Sequence, residues 1–144
     1  MYLVETAFTF EAAHRLYNVN TYSNECRLNV HGHSYQVRVL IGRMELNDAG
    51  MVVDFKKLKE ILHDKIEKFY DHAWILQKDD PLVQYAMQNC AKVIVSSENP
   101  TAENMAKEFT DIIKHELTMV DPELFVRRVS VRETENNIAT YQED

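Results

Sequence analysis

Two long N-terminal stretches alternate apolar and polar residues, two later stretches carry apolar residues at helical spacing, and a C-terminal stretch alternates again. These observations predict an α+β chain built on an antiparallel sheet. In the first stretch, Met1 to Leu16, the residues Phe8, Phe10, Ala12, His14 and Leu16 share one strand face, with Thr9, Glu11 and Arg15 between them. The polar segment Tyr17 to Asn24 lacks periodicity and reads as a loop. His31 to Ile41 repeats the strand pattern, with His31, His33, Tyr35, Val37, Val39 and Ile41 on one face.

Asp48-Ala49-Gly50 reads as a turn, and Met51-Val52-Val53 as a short strand leading to a helix capped by Asp54. Phe55, Leu58, Ile61, Leu62, Ile66 and Phe69 form the apolar stripe of that helix. Asp71 to Leu76 is irregular. Pro81 opens a short helix through Met87, and Val93-Ile94-Val95 is a strand. Asn99-Pro100-Thr101 starts a second long helix, with Met105, Phe109, Ile112, Ile113 and Leu117 inward. Phe125 to Glu133 alternates once more, placing Val129, Val131 and Glu133 on one face. The order β-β-(β)-α-β-α-β, with its long strands adjacent in sequence, favours antiparallel pairing over a doubly wound parallel sheet.

Composition narrows the function. The 144 residues are 45% hydrophobic and 27% charged, with 3 Gly and 3 Pro, as expected of one globular domain spanning residues 1–144. A net charge of -7 disfavours a binder of nucleic acid or anionic membrane driven by bulk charge. No leader peptide or membrane-spanning run is visible, and two lone cysteines read as reduced thiols, so the expected location is cytoplasmic. Six histidines are left to explain.

His31-Gly32-His33 points two imidazoles to one side of a strand, and His14 has the matching parity in the first strand. Three inward imidazoles need a hydrogen-bond network or a metal, and three His ligands with an open fourth position describe catalytic zinc. No thiolate pair competes, so Zn2+ is the expected cofactor. His63 and His115 fall within amphipathic helices and are expected to face solvent.

Cys26 lies in the loop that enters the His31 strand, where a cation would favour its thiolate. Cys90 reads as a small buried hydrophobe. Asp71-His72, where the helical pattern breaks, pairs a carboxylate with an imidazole as a general base requires. Glu133 is an inward carboxylate suited to the N–H edge of a guanidine-like heterocycle.

Taken together, Phe10-Glu11-Ala12-Ala13-His14-Arg15-Leu16, Cys26 with His31-Gly32-His33-Ser34-Tyr35, and Val53-Asp54-Phe55 resemble a known family in order and type. So do Asp71-His72, Asn99-Pro100-Thr101-Ala102-Glu103-Asn104 and Val131-Arg132-Glu133-Thr134. The sequence resembles the 6-pyruvoyl-tetrahydropterin synthase / 6-carboxytetrahydropterin synthase family over nearly its whole length. That resemblance implies a tunnelling fold: an antiparallel sheet with two long helices on one face, closed into a barrel by oligomerisation. It also implies a homohexamer, a dimer of trimers with active sites between subunits. By the same resemblance His14, His31 and His33 ligate zinc, while Cys26, Asp71 and His72 form the catalytic acid/base set. Glu133 and Thr101 bind the pterin, and 7,8-dihydroneopterin triphosphate is the substrate. The expected enzyme is a lyase, a 6-carboxy-5,6,7,8-tetrahydropterin synthase supplying queuosine precursor.

Three alternatives accompany that expectation. They are a 6-pyruvoyl-tetrahydropterin synthase, a side-chain-cleaving variant giving a 6-hydroxymethyl-dihydropterin, and a non-catalytic zinc-stabilised pterin-binding oligomer. Four residues separate Cys26 from His31, a spacing between those of the bacterial and animal branches, and Glu25 before Cys26 is the hallmark of the side-chain-cleaving variant. Ala73-Trp74-Ile75-Leu76 stands where bacterial members commonly show Leu-Asn.

Overall fold

A computed structural model describes residues 1–144. Strands β1 (Tyr2–His14) and β2 (His31–Arg43) form a long antiparallel pair that runs from Tyr2 opposite Arg43 to His14 opposite His31. β2 pairs antiparallel with β5 (Phe125–Arg132), and β5 with β6 (Ile138–Gln142). On the other side of β1, β3 (Ala73–Gln77) and β4 (Val93–Ser96) add in parallel, giving the order β4-β3-β1-β2-β5-β6.

The sheet is therefore mixed, not wholly antiparallel. Helix α4 (Leu82–Asn89) lies between β3 and β4 and carries the chain back to the starting end, which makes that pair parallel. β3 escaped the periodicity because both faces of its centre are covered: Ile75 and Leu76 are both fully buried. β6 is a half-exposed edge strand in which only Ala139 and Tyr141 pack on the core. Met51–Val53 forms no strand; Asn47 Oδ1 accepts from the Ala49 and Met51 amides, and Val52 and Val53 are buried in succession. The segment read as a loop before β2 ends in a single short helix, α1 (Asn24–Leu28).

One face of the sheet is apolar: Phe10, Ala12, Tyr35, Val37, Val39, Ile41, Val129 and Val131 are buried there. Side chains from α2 (Phe55–Leu62) and α5 (Ala102–Val120) join them in one cluster of 25 residues. Asp54 caps α2 by accepting from the Lys56 and Lys57 amides, and Thr101 caps α5 by accepting from the Asn104 amide. No helix is long and apolar enough to cross a membrane.

The first helical run departs from its sequence pattern at one point. A π-helical turn (His63–Glu67) follows α2 before the run resumes as α3 (Lys68–Tyr70). A wider turn holds an extra residue and rotates the side chains beyond it about the helix axis. Tyr70 is consequently buried at 4% exposure, where helical spacing predicted Phe69, which is 49% exposed. The Tyr70 ring meets Phe109 edge-on at 4.9 Å between centroids and Phe10 at 5.6 Å. Replacing Tyr70 by Ala should cost about 3–5 kcal/mol in urea unfolding, and Phe69→Ala under about 1 kcal/mol. Equal costs would contradict the rotated face.

Candidate metal centre

The β1–β2 register decides the geometry of the histidines. His14 stands directly opposite His31, and Ala12 opposite His33, so all three imidazoles leave the same face at the same end of the strand pair. Each offers a ring nitrogen, and the three nitrogens lie within 4.8 Å of one another. His14 is buried, and His31 and His33 are half-buried, closing the floor of the site against Tyr35.

The protonation pattern follows from the partners. His14 Nδ1 lies 2.7 Å from the Pro100 carbonyl oxygen, and His31 Nδ1 lies 2.9 Å from that of Asn29. A carbonyl only accepts, so both Nδ1 atoms carry a proton, and on His14, held neutral by its burial, this leaves Nε2 with a bare lone pair. His14 Nε2 and His31 Nε2 face each other at 3.1 Å. Glu133 Oε1 adds a further acceptor, 3.3 Å from His14 Nε2 and 3.4 Å from His33 Nε2. His33 Nε2 is buried and makes no hydrogen bond. Converging acceptors with too few protons suit a cation, and backbone carbonyls holding the far ring nitrogens are the usual support for metal-ligating histidines. His14, His31 and His33 fit a metal ion.

Electrostatics agrees. Burial pulls the His14 imidazole down to about 4, against the opposing pull of its bond to Pro100, and the other two imidazoles lower it further. Burial also lowers His33, although Glu133 beside it acts in the other direction. Neutral imidazoles at pH 7 are the ligating form. Burial and the Glu133 charge push the Tyr35 hydroxyl up, so it stays a phenol, with its oxygen 3.3 Å from His14 Nδ1.

The remaining sequence candidates fall into separate places. Glu133 reaches the histidines, as its inward parity required. Thr101 stands beside Pro100, with its oxygen accepting the Asn104 amide at the head of α5. Cys26 is exposed on α1, and the Ser23 hydroxyl donates to its sulfur at 3.4 Å. Cys90 is half-buried. His63 and His115 are exposed, as the helical pattern predicted.

No hydrogen bond or ion pair joins Asp71 or His72 to the three histidines. Asp71 Oδ1 accepts the Glu11 amide at 2.9 Å, and the His72 amide donates to the Glu11 carbonyl at 2.6 Å. His72, at φ 65°, lines a groove with Ala13, Trp74 and Cys90. His72 also lines a groove with Glu11, Ala13, His33 and Ser34, and the Glu11, Ala13 and Ser34 side chains alternate with those of Ala12, His14 and His33, so the groove opens on the other face of the strand pair. Within the pair, Asp71 Oδ2 lies 2.9 Å from His72 Nδ1. The Glu11 amide, more than His72 or Lys92, holds the Asp71 carboxyl below the usual carboxylate range.

Two supports pair motif residues with partners the sequence did not indicate. Arg15 makes a bidentate pair with Asp80, whose side chain is fully buried, and Asn99 bonds both main-chain groups of Tyr17. Both partnerships join residues more than sixty positions apart, beyond the reach of local pattern.

Two outcomes test the centre. His31→Ala should lose bound metal, and stoichiometric metal in that variant would remove His31 from the ligand set. In metal-free protein the unfolded chain takes up a proton at His14 near pH 6.5 and the folded chain only near 4, so acid favours unfolding. Chemical denaturation should therefore show stability present above pH 6.5 and falling toward pH 4, by at most about 1.4 kcal/mol per pH unit from this group. A flat profile over that window would contradict a buried neutral His14.

Comparison with known proteins places this geometry. Residues 3–144 match the sequence model described as 6-pyruvoyl tetrahydropterin synthase. The chain is 33% identical over 129 residues to a Rickettsia felis protein named 6-carboxy-5,6,7,8-tetrahydropterin synthase, covering 88% of this chain and 90% of that one. A protein of the same name from Aquifex aeolicus is 32% identical, with 98% of each chain covered. Among solved structures, an uncharacterized Wolinella succinogenes protein superposes with a TM-score of 0.84 at 21% identity, covering 99% of this chain and 98% of that one. The Caenorhabditis elegans 6-pyruvoyl tetrahydropterin synthase superposes at 0.69 with 28% identity, covering 99% and 96%. The chain belongs to the 6-pyruvoyl tetrahydropterin synthase family.

Proposed function

We propose that this chain is a zinc-dependent 6-carboxy-5,6,7,8-tetrahydropterin synthase, a lyase acting on 7,8-dihydroneopterin triphosphate in the supply of queuosine precursor. One observation carries the proposal: three imidazole nitrogens converge within 4.8 Å of one another beside a carboxylate, at one end of a strand pair. The names of the Rickettsia and Aquifex relatives select the product. His14, His31 and His33 hold the metal, and no cysteine pair offers a softer site. Zinc bound there supplies Lewis-acid polarisation of the substrate side-chain hydroxyls.

The chain's own groups supply recognition and proton handling. Glu133, 27% exposed, presents a carboxylate to the amino and ring N–H edge of the pterin, and Thr101 lies next to the Pro100 carbonyl that orients His14. Cys26 is exposed and free to take and return a proton at Sγ. The anionic Asp71 fixes the His72 proton on Nδ1, leaving Nε2 to exchange one.

His72 lines grooves on the face of β1 opposite the histidines, so in this reading the dyad serves the site of a neighbouring subunit. A homohexamer, a dimer of trimers with barrel-closing sheets, supplies that neighbour; β4 and β6 are the sheet edges available to it. The enzyme works in the cytoplasm, where both cysteines stay reduced.

Product analysis tests the reading. Incubation with 7,8-dihydroneopterin triphosphate should release acetaldehyde as well as triphosphate. Triphosphate loss without acetaldehyde would assign the 6-pyruvoyl product. Glycolaldehyde-type cleavage would assign the 6-hydroxymethyl product, to which Glu25, exposed beside Cys26, would then contribute. Cys26→Ala should lower kcat by about 10²-fold or more with zinc content unchanged. Mixing inactive Cys26→Ala and His72→Ala subunits should restore part of the activity; none would overturn a site built from the thiol of one subunit and the dyad of another.

A further inference from the structure

We propose that Asn99 is a positioning residue of the metal centre: its side chain locks the end of β1 to the segment that orients His14, and so sets metal affinity. The inference rests on the reading of His14 as a ligand. The Tyr17 amide donates to Asn99 Oδ1 at 2.7 Å, and Asn99 Nδ2 donates to the Tyr17 carbonyl at 2.9 Å. One side-chain amide thus satisfies both main-chain groups of a residue 82 positions away. The pairing is directional, since a reversed amide would set donor against donor and acceptor against acceptor.

Tyr17 lies three residues beyond His14, and Asn99 immediately precedes Pro100, whose carbonyl holds His14 Nδ1 at 2.7 Å. His14, Tyr17, Asn99 and Pro100 therefore form a short closed circuit, with one imidazole on it. The far side of the circuit is rigid. Pro100 is buried and has a fixed φ, and the Asn99 carbonyl accepts from the Thr101 amide at 2.8 Å and from Asn104 Nδ2 at 2.9 Å, anchoring it to the head of α5. The near side leaves the sheet: β1 ends at His14, and Arg15 is tied by its side chain to Asp80 and the Leu28 carbonyl. The Leu16 amide donates to the Cys26 carbonyl at 3.0 Å, and Tyr17 is held by Asn99. Without Asn99 the main chain of Tyr17 turns to water. His14, the last residue of β1, then loses the tie that closes its circuit with Pro100, and the ties of Arg15 and Leu16 alone anchor the residues that follow it. A ligand held less firmly in tautomer and direction binds metal more weakly.

Full-length wild type, Asn99→Ala and Asn99→Asp, each stripped of metal with a chelator, are titrated with Co2+ and Zn2+ against a competing chromophoric chelator. Asn99→Ala should bind both ions about 10-fold or more weakly, with a weakened visible Co2+ band reporting a less regular ligand field. Asn99→Asp keeps the acceptor for the Tyr17 amide but not the donor, and should fall between. Wild-type affinity and an unchanged Co2+ spectrum in Asn99→Ala overturn the proposal, even if the variant melts at lower temperature. If Asn99→Ala does not fold, Asn99→Asp with wild-type affinity overturns it equally. Failure of the wild type to bind Co2+ is a distinct result, which removes the metal reading itself.

Discussion

The register of β1 against β2 is the constraint on which the site depends. Because His14 faces His31 and Ala12 faces His33, three imidazoles on two strands share one end of one face. A slip of one residue would reverse every side chain of one strand, sending its histidines to the opposite face and exposing Phe10 and Ala12 or Tyr35 and Val37. The apolar residues that fix the register are thus the same alternation that aims the ligands. Core burial and site assembly are one event here, since the six buried residues from Phe10 to Ile41 that face the helices lead directly into the histidines.

Along that face the character of the sheet changes from apolar to basic nitrogen within one or two residues. Tyr35 is the transition: its ring stacks on Phe10 at 4.9 Å between centroids, while its hydroxyl lies beside His14. The polar end is held from outside the sheet. Carbonyls of Pro100 and Asn29, one from the head of α5 and one from the loop before β2, hold the Nδ1 atoms of His14 and His31. The Arg15–Asp80 pair ties the residue after His14 to the turn before α4. Secondary structure places the three histidines, and loops decide which ring nitrogen His14 and His31 turn toward one another.

The acid/base dyad shows the opposite arrangement. Asp71 and His72 are fastened to the main chain of Glu11, in the same strand as His14, yet His72 lines grooves on its other face, with Glu11, Ala13 and Ser34. His72 adopts a left-handed backbone at φ 65°, a conformation histidine tolerates better than most residues, held by its amide bond to Glu11. The pair is firmly set, and its conformation owes nothing to the three histidines.

Strong, long alternation made β1, β2 and β5 legible from the amino-acid sequence, and with them the shared face of His14, His31, His33 and Glu133. Caps at Asp54 and Thr101 likewise announced α2 and α5, because they are local chemistry. β3 and β6 were not legible: one is covered at its centre on both faces, and the other is a half-exposed edge, so neither has a clean period. The burial of Tyr70 in place of Phe69 needed the π-helical turn, which no side-chain pattern encodes. Sequence alone determined which histidines and which carboxylate share one strand face, since residue type and strand parity are properties of neighbours in the chain. Tertiary structure decided which of them meet, which ring nitrogen of His14 is bare and which clamp holds that ring. Those depend on Pro100, Asn99 and Asp80 arriving from distant segments.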